Sequence, residues 1–436
     1  MTYLLAIKGG TVIDPSTNVH ARRDVLIRDG LIAGVEQAMP SSSTEAEVLD
    51  ATGCFVLPGL IDMHVHLREP GYEYKETIET GVRAAAAGGF TAVACMANTN
   101  PVNDSGAVTA LILERARAAN LVRVHPIGAV SVGLKGERLA EIGEMREAGI
   151  VAVSDDGRPI VNGGLMRRAL EYTTMFGIPV IAHEDDVTIS NGGVMNEGAL
   201  SIRLGLKGIP AAAETAMVAR DIALVEQTGG KLHIAHVSTK GSVELIRAAK
   251  GRGLAVTAEA TPHHFTLTEE AVEGYNTNAK MNPPLRTRHD VDAVRQGLAD
   301  GTIDVIATDH APHHRDEKEC EFDLALNGII GLETALPLAL RMAEESNISL
   351  DTLVTAMSIN PAGILGVKGG SLALGAVADL TVVDPQRAWK VEAARMQSKS
   401  RNTPFEGMEM RGRAIVTIVG GSVVWRAEAP ANTARA

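Results

Sequence analysis

The chain has 436 residues, 45% hydrophobic and 22% charged, which allows one large buried core with an appendage, or two cores, and excludes global disorder. Its net charge of −12, with no basic stripe to offset it, argues against a nucleic-acid partner but not against a small anion held by one local arginine. No apolar run reaches the roughly 18 residues of a membrane span, and Met1-Thr2-Tyr3-Leu4-Leu5-Ala6 lacks a signal-peptide pattern.

Residues 1–55 hold short β-like pieces at 3–8, 24–28 and 32–35, punctuated by Gly9-Gly10, Asp29-Gly30 and Gly53. From residue 56 the texture changes. Short Val/Ile/Ala-rich runs predict strands over 60–66, 91–96, 123–129, 150–154, 180–183, 232–237, 255–259 and 304–308. Helical patterns intervene at 76–87, 107–118, 165–176, 214–227, 242–252 and 290–300. Strands alternating with helices call for a parallel sheet, and eight is the count that closes a (β/α)₈ TIM-type barrel. Nearly continuous apolar runs suit strands covered on both faces. An open doubly wound sheet is the rival architecture. The β-like texture returns at 371–384 and 414–425, with Gly420-Gly421 as a hairpin signal. Neither end is long enough for a comfortable core of its own. Residues 1–55 and 367–436 are therefore expected to pair into one small β domain beside a barrel over 56–366, with 427–436 as a frayed tail. The widely spaced Cys54, Cys95 and Cys320 read as reduced thiols, which fits a cytoplasmic protein.

Alternate side chains of a strand share a face, so His64 and His66 project together at the end of the first barrel strand. Arg68 lies just beyond, where its fork could hold a substrate carboxylate. Other strand ends repeat the theme: Ser154-Asp155-Asp156-Gly157, Ala182-His183-Glu184-Asp185, Ala235-His236-Val237-Ser238, and Ala307-Thr308-Asp309-His310-Ala311-Pro312-His313. Function in such a barrel sits at those ends. One such histidine would ordinarily be structural; imidazoles and carboxylates converging from several strands read as a site. Imidazole and carboxylate without thiolate suit Zn²⁺ or a similar divalent ion in a catalytic role. A carboxylate bridging two histidine pairs would set two ions about 3.5–4 Å apart and activate a water between them. Hydrolysis of an amide-like bond follows, with Asp309 placed to move the proton to the leaving nitrogen.

These motifs resemble the amidohydrolase superfamily and, within it, the class I (type I) bacterial dihydroorotases. The resemblance runs over essentially the whole chain. It rests on His64-Val65-His66-Leu67-Arg68-Glu69-Pro70-Gly71, Ala97-Asn98-Thr99, the four strand-end motifs above, Thr261-Pro262-His263-His264 and Met281-Asn282-Pro283-Pro284-Leu285-Arg286. It implies that His64, His66 and Asp309 bind one metal, that His183 and His236 bind a second, and that Asp156 bridges them. Asp155 is the competing neighbour. Many relatives bridge with a carboxylated lysine, but no lysine occurs here between Lys135 and Lys207. One or two Zn²⁺ per subunit are implied, with two expected. Arg68, Asn98 and His313 would bind a carboxylate of the substrate that does not react, with Asn282, Asn327 and Gly328 as further substrate contacts. The implied reaction is reversible cyclisation of N-carbamoyl-L-aspartate to L-dihydroorotate. His263 or His264 is a candidate to support the ligands, His310 a candidate to orient Asp309, and Glu69 a near-site candidate. His20, His125, His233 and His289 read as surface or packing residues. The rivals are another cyclic amidase, an allantoinase or hydantoinase, and a silent subunit scaffolding aspartate carbamoyltransferase. A homo-oligomer, with that carbamoyltransferase as a further partner, is also expected.

Overall fold

The computed structural model describes residues 4–38 and 46–428, so most of the tail expected over 427–436 lies outside the described residues. Two eight-stranded sheets organise the chain. The first draws on both ends. From the N-terminal side come β1 (Leu4–Asp14), β2 (Val19–Arg28), β3 (Leu31–Glu36), β4 (Glu47–Asp50) and β5 (Phe55–Pro58). The barrel strands follow, beginning with β6 (Leu60–Val65), β7 (Phe90–Cys95), β8 (Arg123–Gly128), β9 (Ala152–Ser154) and β10 (Val180–Ala182). A short parallel pair, β11 (Met195–Asn196) and β12 (Gly208–Ile209), decorates the loop after β10. The barrel resumes with β13 (Leu232–Ile234), β14 (Val256–Ala260) and β15 (Val305–Ile306). The chain then returns to the first sheet with β16 (Leu380–Lys390), β17 (Glu409–Val419) and β18 (Ser422–Arg426).

All eight expected barrel strands are present, in the order β15-β14-β13-β10-β9-β8-β7-β6. Every pairing is parallel, and a parallel bridge between Val65 and His310 links the two ends, which excludes the open sheet. β6 and β7 are buried at every position, as strands covered on both faces must be. Met63, Ala94, Ile127, Ala152, Ile181 and Val305, one from each of six strands, form a single apolar cluster, the filled centre a parallel barrel requires. The expected helices appear as Ile78–Gly88, Gly106–Ala119, Gly163–Thr173, Ala212–Thr228, Lys240–Gly251 and Arg288–Ala299.

In the other sheet β5 joins the two ends of the chain. It pairs with β1 in parallel and with β16 antiparallel, matching Val56 to Val382. Leu5, Ile7, Val25, Ile27, Val56, Leu380 and Ile418 build its separate core. The hairpin expected at Gly420-Gly421 connects β17 to β18.

Candidate active site

Every residue of the site leaves the C-terminal end of a barrel strand. His64 is the penultimate residue of β6 and His66 follows the strand; Asn98 lies after β7, Asp156 after β9, His183 after β10, His236 after β13 and Asp309 after β15. At three of these turns the backbone is left-handed, with φ of 62° at Arg68, 33° at His236 and 48° at Asp309. Non-glycine residues rarely adopt that conformation, and where they do the surrounding structure holds them for a reason.

Asp156 is the hub. Its carboxylate lies 3.5 Å from His64 Nε2, 3.4 Å from His66 Nε2, 3.4 Å from His183 Nδ1 and 3.4 Å from His236 Nε2. Asp309 Oδ1 stands 3.0 Å from His66 Nε2 and 3.4 Å from His64 Nε2. Two triads, His64–His66–Asp156 and Asp156–His183–His236, each bring three potential ligand atoms within 4.8 Å of one another, and both include Asp156. The competitor Asp155 is turned away: it accepts hydrogen bonds from Val130 N at 2.8 Å, Ser131 N at 3.0 Å and the Ser131 hydroxyl.

Electrostatics and donor chemistry both fit a divalent cation. Burial works against charge on the His64 ring, yet Glu259, Asp156 and Asp309 hold its pKa well above the usual histidine value. Burial likewise tends to raise the Asp309 carboxyl, but the His64 charge and the His66 hydrogen bond bring it down to about 2. Asp156 is held well below the carboxylate range, with the His64 charge and bonds from His183 and His236 overcoming its burial. The cluster thus demands positive charge at its centre. His64 Nε2 is fully buried and, among the described residues, has no hydrogen-bond partner, as an imidazole nitrogen shaped for a metal would be.

A cavity of about 220 Å³ opens above this cluster, lined by His66, Arg68, Asn98, Asp156, His183, His236, Asn282, Asp309, His313, Asn327 and Gly328. All the expected site residues except His64 line it, and His64 lies directly beneath. Half-buried Arg68 donates from Nε to Pro312 O at 3.1 Å, and its terminal nitrogen lies 3.4 Å from His313 Nε2. Asn98 orients a ligand as well as facing the cavity: its Oδ1 lies 2.9 Å from His66 Nδ1. Asn282 reaches His183 Nε2 at 3.4 Å and Asp185 at 3.3 Å. His313 Nε2 donates to Asn327 O at 2.7 Å. Burial, then the charge of Arg68, pulls the pKa of His313 down to about 2, so its ring is neutral. The Asn327 side chain is exposed, and the amide of Gly328 is engaged internally by Lys280 O at 3.0 Å.

Other expectations divide. His264 lies 2.9 Å from Pro283 O and 2.8 Å from Thr261 Oγ1, holding the Asn282 loop. His310 supports the site through its backbone, accepting from His66 N at 2.8 Å, while its ring bonds Gly331 N and faces Glu76. Glu69 is corrected: it accepts from Ile78 N at 2.9 Å and lies outside the cavity lining. His20 and His289 are surface residues paired with Asp351 and Lys240.

Sequence reasoning missed Glu259. This fully buried carboxylate is the penultimate residue of β14, sits 2.5 Å from His64 Nδ1 and 3.1 Å from His233 Nε2, and fixes which nitrogen of His64 faces the cluster. His233 is accordingly more than a packing residue, because it holds Glu259 from behind and is itself held by Thr257 at 2.8 Å. Asp62 was missed too; it accepts from His64 N at 3.0 Å and Thr308 N at 3.2 Å, tying the first strand to the last. The signal for Glu259 was a lone carboxylate closing an apolar strand at the functional end of the barrel.

A family profile described as Dihydro-orotase-like matches residues 53–242. Curated dihydroorotases are similar over almost the whole chain. That of Geobacter sp. (strain M21) is 58% identical over 423 residues, 97% of this chain and 99% of its own. That of Geotalea daltonii is 59% identical over 418 residues, covering 96% and 98%. Among solved structures, the L-hydantoinase (dihydropyrimidinase) of Arthrobacter aurescens superposes with a TM-score of 0.86 at 27% identity, covering 97% of this chain and 96% of that one. The dihydropyrimidinase of Brevibacillus agri, at 23% identity and a TM-score of 0.84, shares the fold. With more than half its residues identical to those relatives across nearly their full length, the chain belongs to the dihydroorotase family.

Proposed function

We propose that this chain is a class I, zinc-dependent dihydroorotase that interconverts N-carbamoyl-L-aspartate and L-dihydroorotate in pyrimidine biosynthesis. The observation that carries the reading is the pairing, in one cavity, of two histidine–aspartate triads with an arginine fork. His64, His66 and Asp309 would hold one ion, His183 and His236 the other, with Asp156 between them. Zn²⁺ ions bound there would polarise the ring carbonyl and acidify a water.

The chain's own residues do the rest. Arg68, with Asn98, binds the carboxylate that does not react and so fixes which ring carbonyl lies over the triads, while His313, its one N–H held by Asn327 O, packs beside the guanidinium. In hydrolysis, the water oxygen bonds to the ring amide carbon, Asp309 takes the water's proton, and the C–N bond breaks as that proton passes to the nitrogen. That direction starts from ionised Asp309. Cyclisation runs the same path backwards, starting from protonated Asp309. The site lies within a barrel unit that we place at 59–366, moving the first junction from residue 55 because β5 pairs in the small sheet.

A hydantoinase or allantoinase would have no use for Arg68, since its ring carries no fixed carboxylate. A silent scaffold would have no reason to keep both triads complete. Side-by-side turnover of L-dihydroorotate, allantoin and dihydrouracil by the purified protein tests the reading. Faster hydrolysis of either neutral ring than of dihydroorotate would overturn it.

A further inference from the structure

Two lysines beside the cavity are buried, Lys280 at 4% and Lys318 at 3% exposure, and among the described residues neither forms an ion pair with a carboxylate. Their ammonium groups bond only to backbone carbonyls. Lys280 Nζ donates to Phe322 O at 2.7 Å and Asp323 O at 3.0 Å. Lys318 Nζ donates to Leu326 O at 2.7 Å, Gly328 O at 3.1 Å and Lys280 O at 3.3 Å. Three carbonyls around one nitrogen match the three N–H groups of an ammonium.

The segment they grip forms one wall of the cavity. Its outer part has little packing of its own, since Leu324 is 70% exposed and Leu326 40% exposed. It also has no slack where it meets the site. Gly328 has φ of 122°, and a Cβ there would stand 2.6 Å from Ala311 Cβ. Between the Leu326 and Gly328 carbonyls that Lys318 holds lies Asn327 O, the acceptor for His313 Nε2. The position of that oxygen sets the orientation of the His313 ring beside Arg68. A buried cation without a counter-charge is expensive: burial, then repulsion from Lys280, pulls Lys318 down to about 7. An apolar side chain of similar length would fill the space at less cost. What it would lack is donors converging on the loop.

We propose that Lys318, seconded by Lys280, is a positioning residue whose ammonium clamps residues 326–328 and thereby holds the His313 ring in place beside Arg68, the partner of the substrate carboxylate. The inference rests on the reading of the cavity as a dihydroorotate site. Lys318→Met keeps most of the length of the side chain and removes its donors; Lys280 O keeps the Gly328 amide and Gly328 O keeps Asn402 Nδ2, while Leu326 O is left to find another partner. Freeing the loop should raise KM for dihydroorotate by roughly tenfold or more, as expected when buried carbonyls lose a donor. kcat should change far less, and bound metal should stay at the wild-type level, because neither triad touches the clamp. A general loss of structure would lower metal content and kcat together.

Hydrogen exchange on the wild-type protein supplies a second arm that does not need the variant to fold. The amides of 324–328 should be protected in the free protein and lose that protection in Lys318→Met while the barrel strands keep theirs. A folded variant with wild-type KM, or wild-type amides at 324–328 exchanging as fast as unstructured chain, overturns the clamp. Wild-type protein loaded with metal but inactive on dihydroorotate overturns the functional reading instead, and leaves the exchange arm to judge the clamp.

Discussion

Replacing Arg68 by Met is the sharpest test of substrate choice, because it removes the cation while keeping an unbranched apolar stem. Arg68 Nε is committed to Pro312 O, which leaves the two terminal nitrogens to meet a carboxylate as a fork. Each charge-assisted hydrogen bond contributes about 1.5–3 kcal/mol, so a two-pronged contact in this half-buried position is worth about 3–4 kcal/mol. At about 1.4 kcal/mol per decade, kcat/KM for L-dihydroorotate should fall roughly 10²–10³-fold, chiefly through KM. Dihydrouracil, the same ring without the carboxylate, provides the control. Its turnover should be slow in the wild type, where the guanidinium is left unpaired, and no slower in Arg68→Met. The assay is kcat/KM for both rings in both proteins at matched metal content. If both substrates lose activity equally, Arg68 supports the fold of the site and the carboxylate argument is wrong.

Five further outcomes are expected. Chelation should abolish activity and added Zn²⁺ restore it; full activity in protein shown by elemental analysis to be metal-free would refute a metal mechanism. Asp156→Ala should lose metal and leave the barrel folded, whereas Asp155→Ala, deprived of three hydrogen bonds to the Val130–Ser131 turn, should lose roughly 2–4 kcal/mol of stability in denaturant titration. Asp309→Asn should reduce turnover beyond the ~10²–10⁴-fold typical of losing an acid–base group. In the wild type, cyclisation should speed up as pH falls because it starts from protonated Asp309, while hydrolysis should not, and rates in both directions across pH would reveal identical slopes if this is wrong. Glu259→Gln should weaken metal binding by roughly 10–100-fold, measured by competition with a chelator, because His64 would lose the partner that orients it.

The barrel was legible because its strands are buried on both faces, so each one writes a nearly unbroken apolar run into the sequence. The metal-type residues were legible for a related reason. A strand end is a place where such a run stops, and His64, Asp156, His183, His236 and Asp309 each stand where an apolar run gives way to polar residues. Boundaries were less legible. The strand expected over 304–308 shrinks to Val305–Ile306 because Thr308 is drawn to Asp62 and Asp309 turns left-handed. Glu69 was misplaced by proximity: it directly follows Arg68, yet its carboxylate caps the helix that begins at Ile78.

What the sequence withheld is the support beneath the site, and the reason is physical. A ligand histidine announces itself by residue type at a strand end, but a supporting carboxylate such as Glu259 is defined by what lies across the barrel, 195 residues away in the chain. Lysines are harder still. Lys280 and Lys318 read locally as surface charge, the usual fate of lysine. Only the folded chain, bringing together residues 38 apart, shows both ammonium groups buried against carbonyls at the edge of the cavity. The chemistry can therefore be read from residue types, whereas the precision of the site depends on long-range contacts that leave no local pattern.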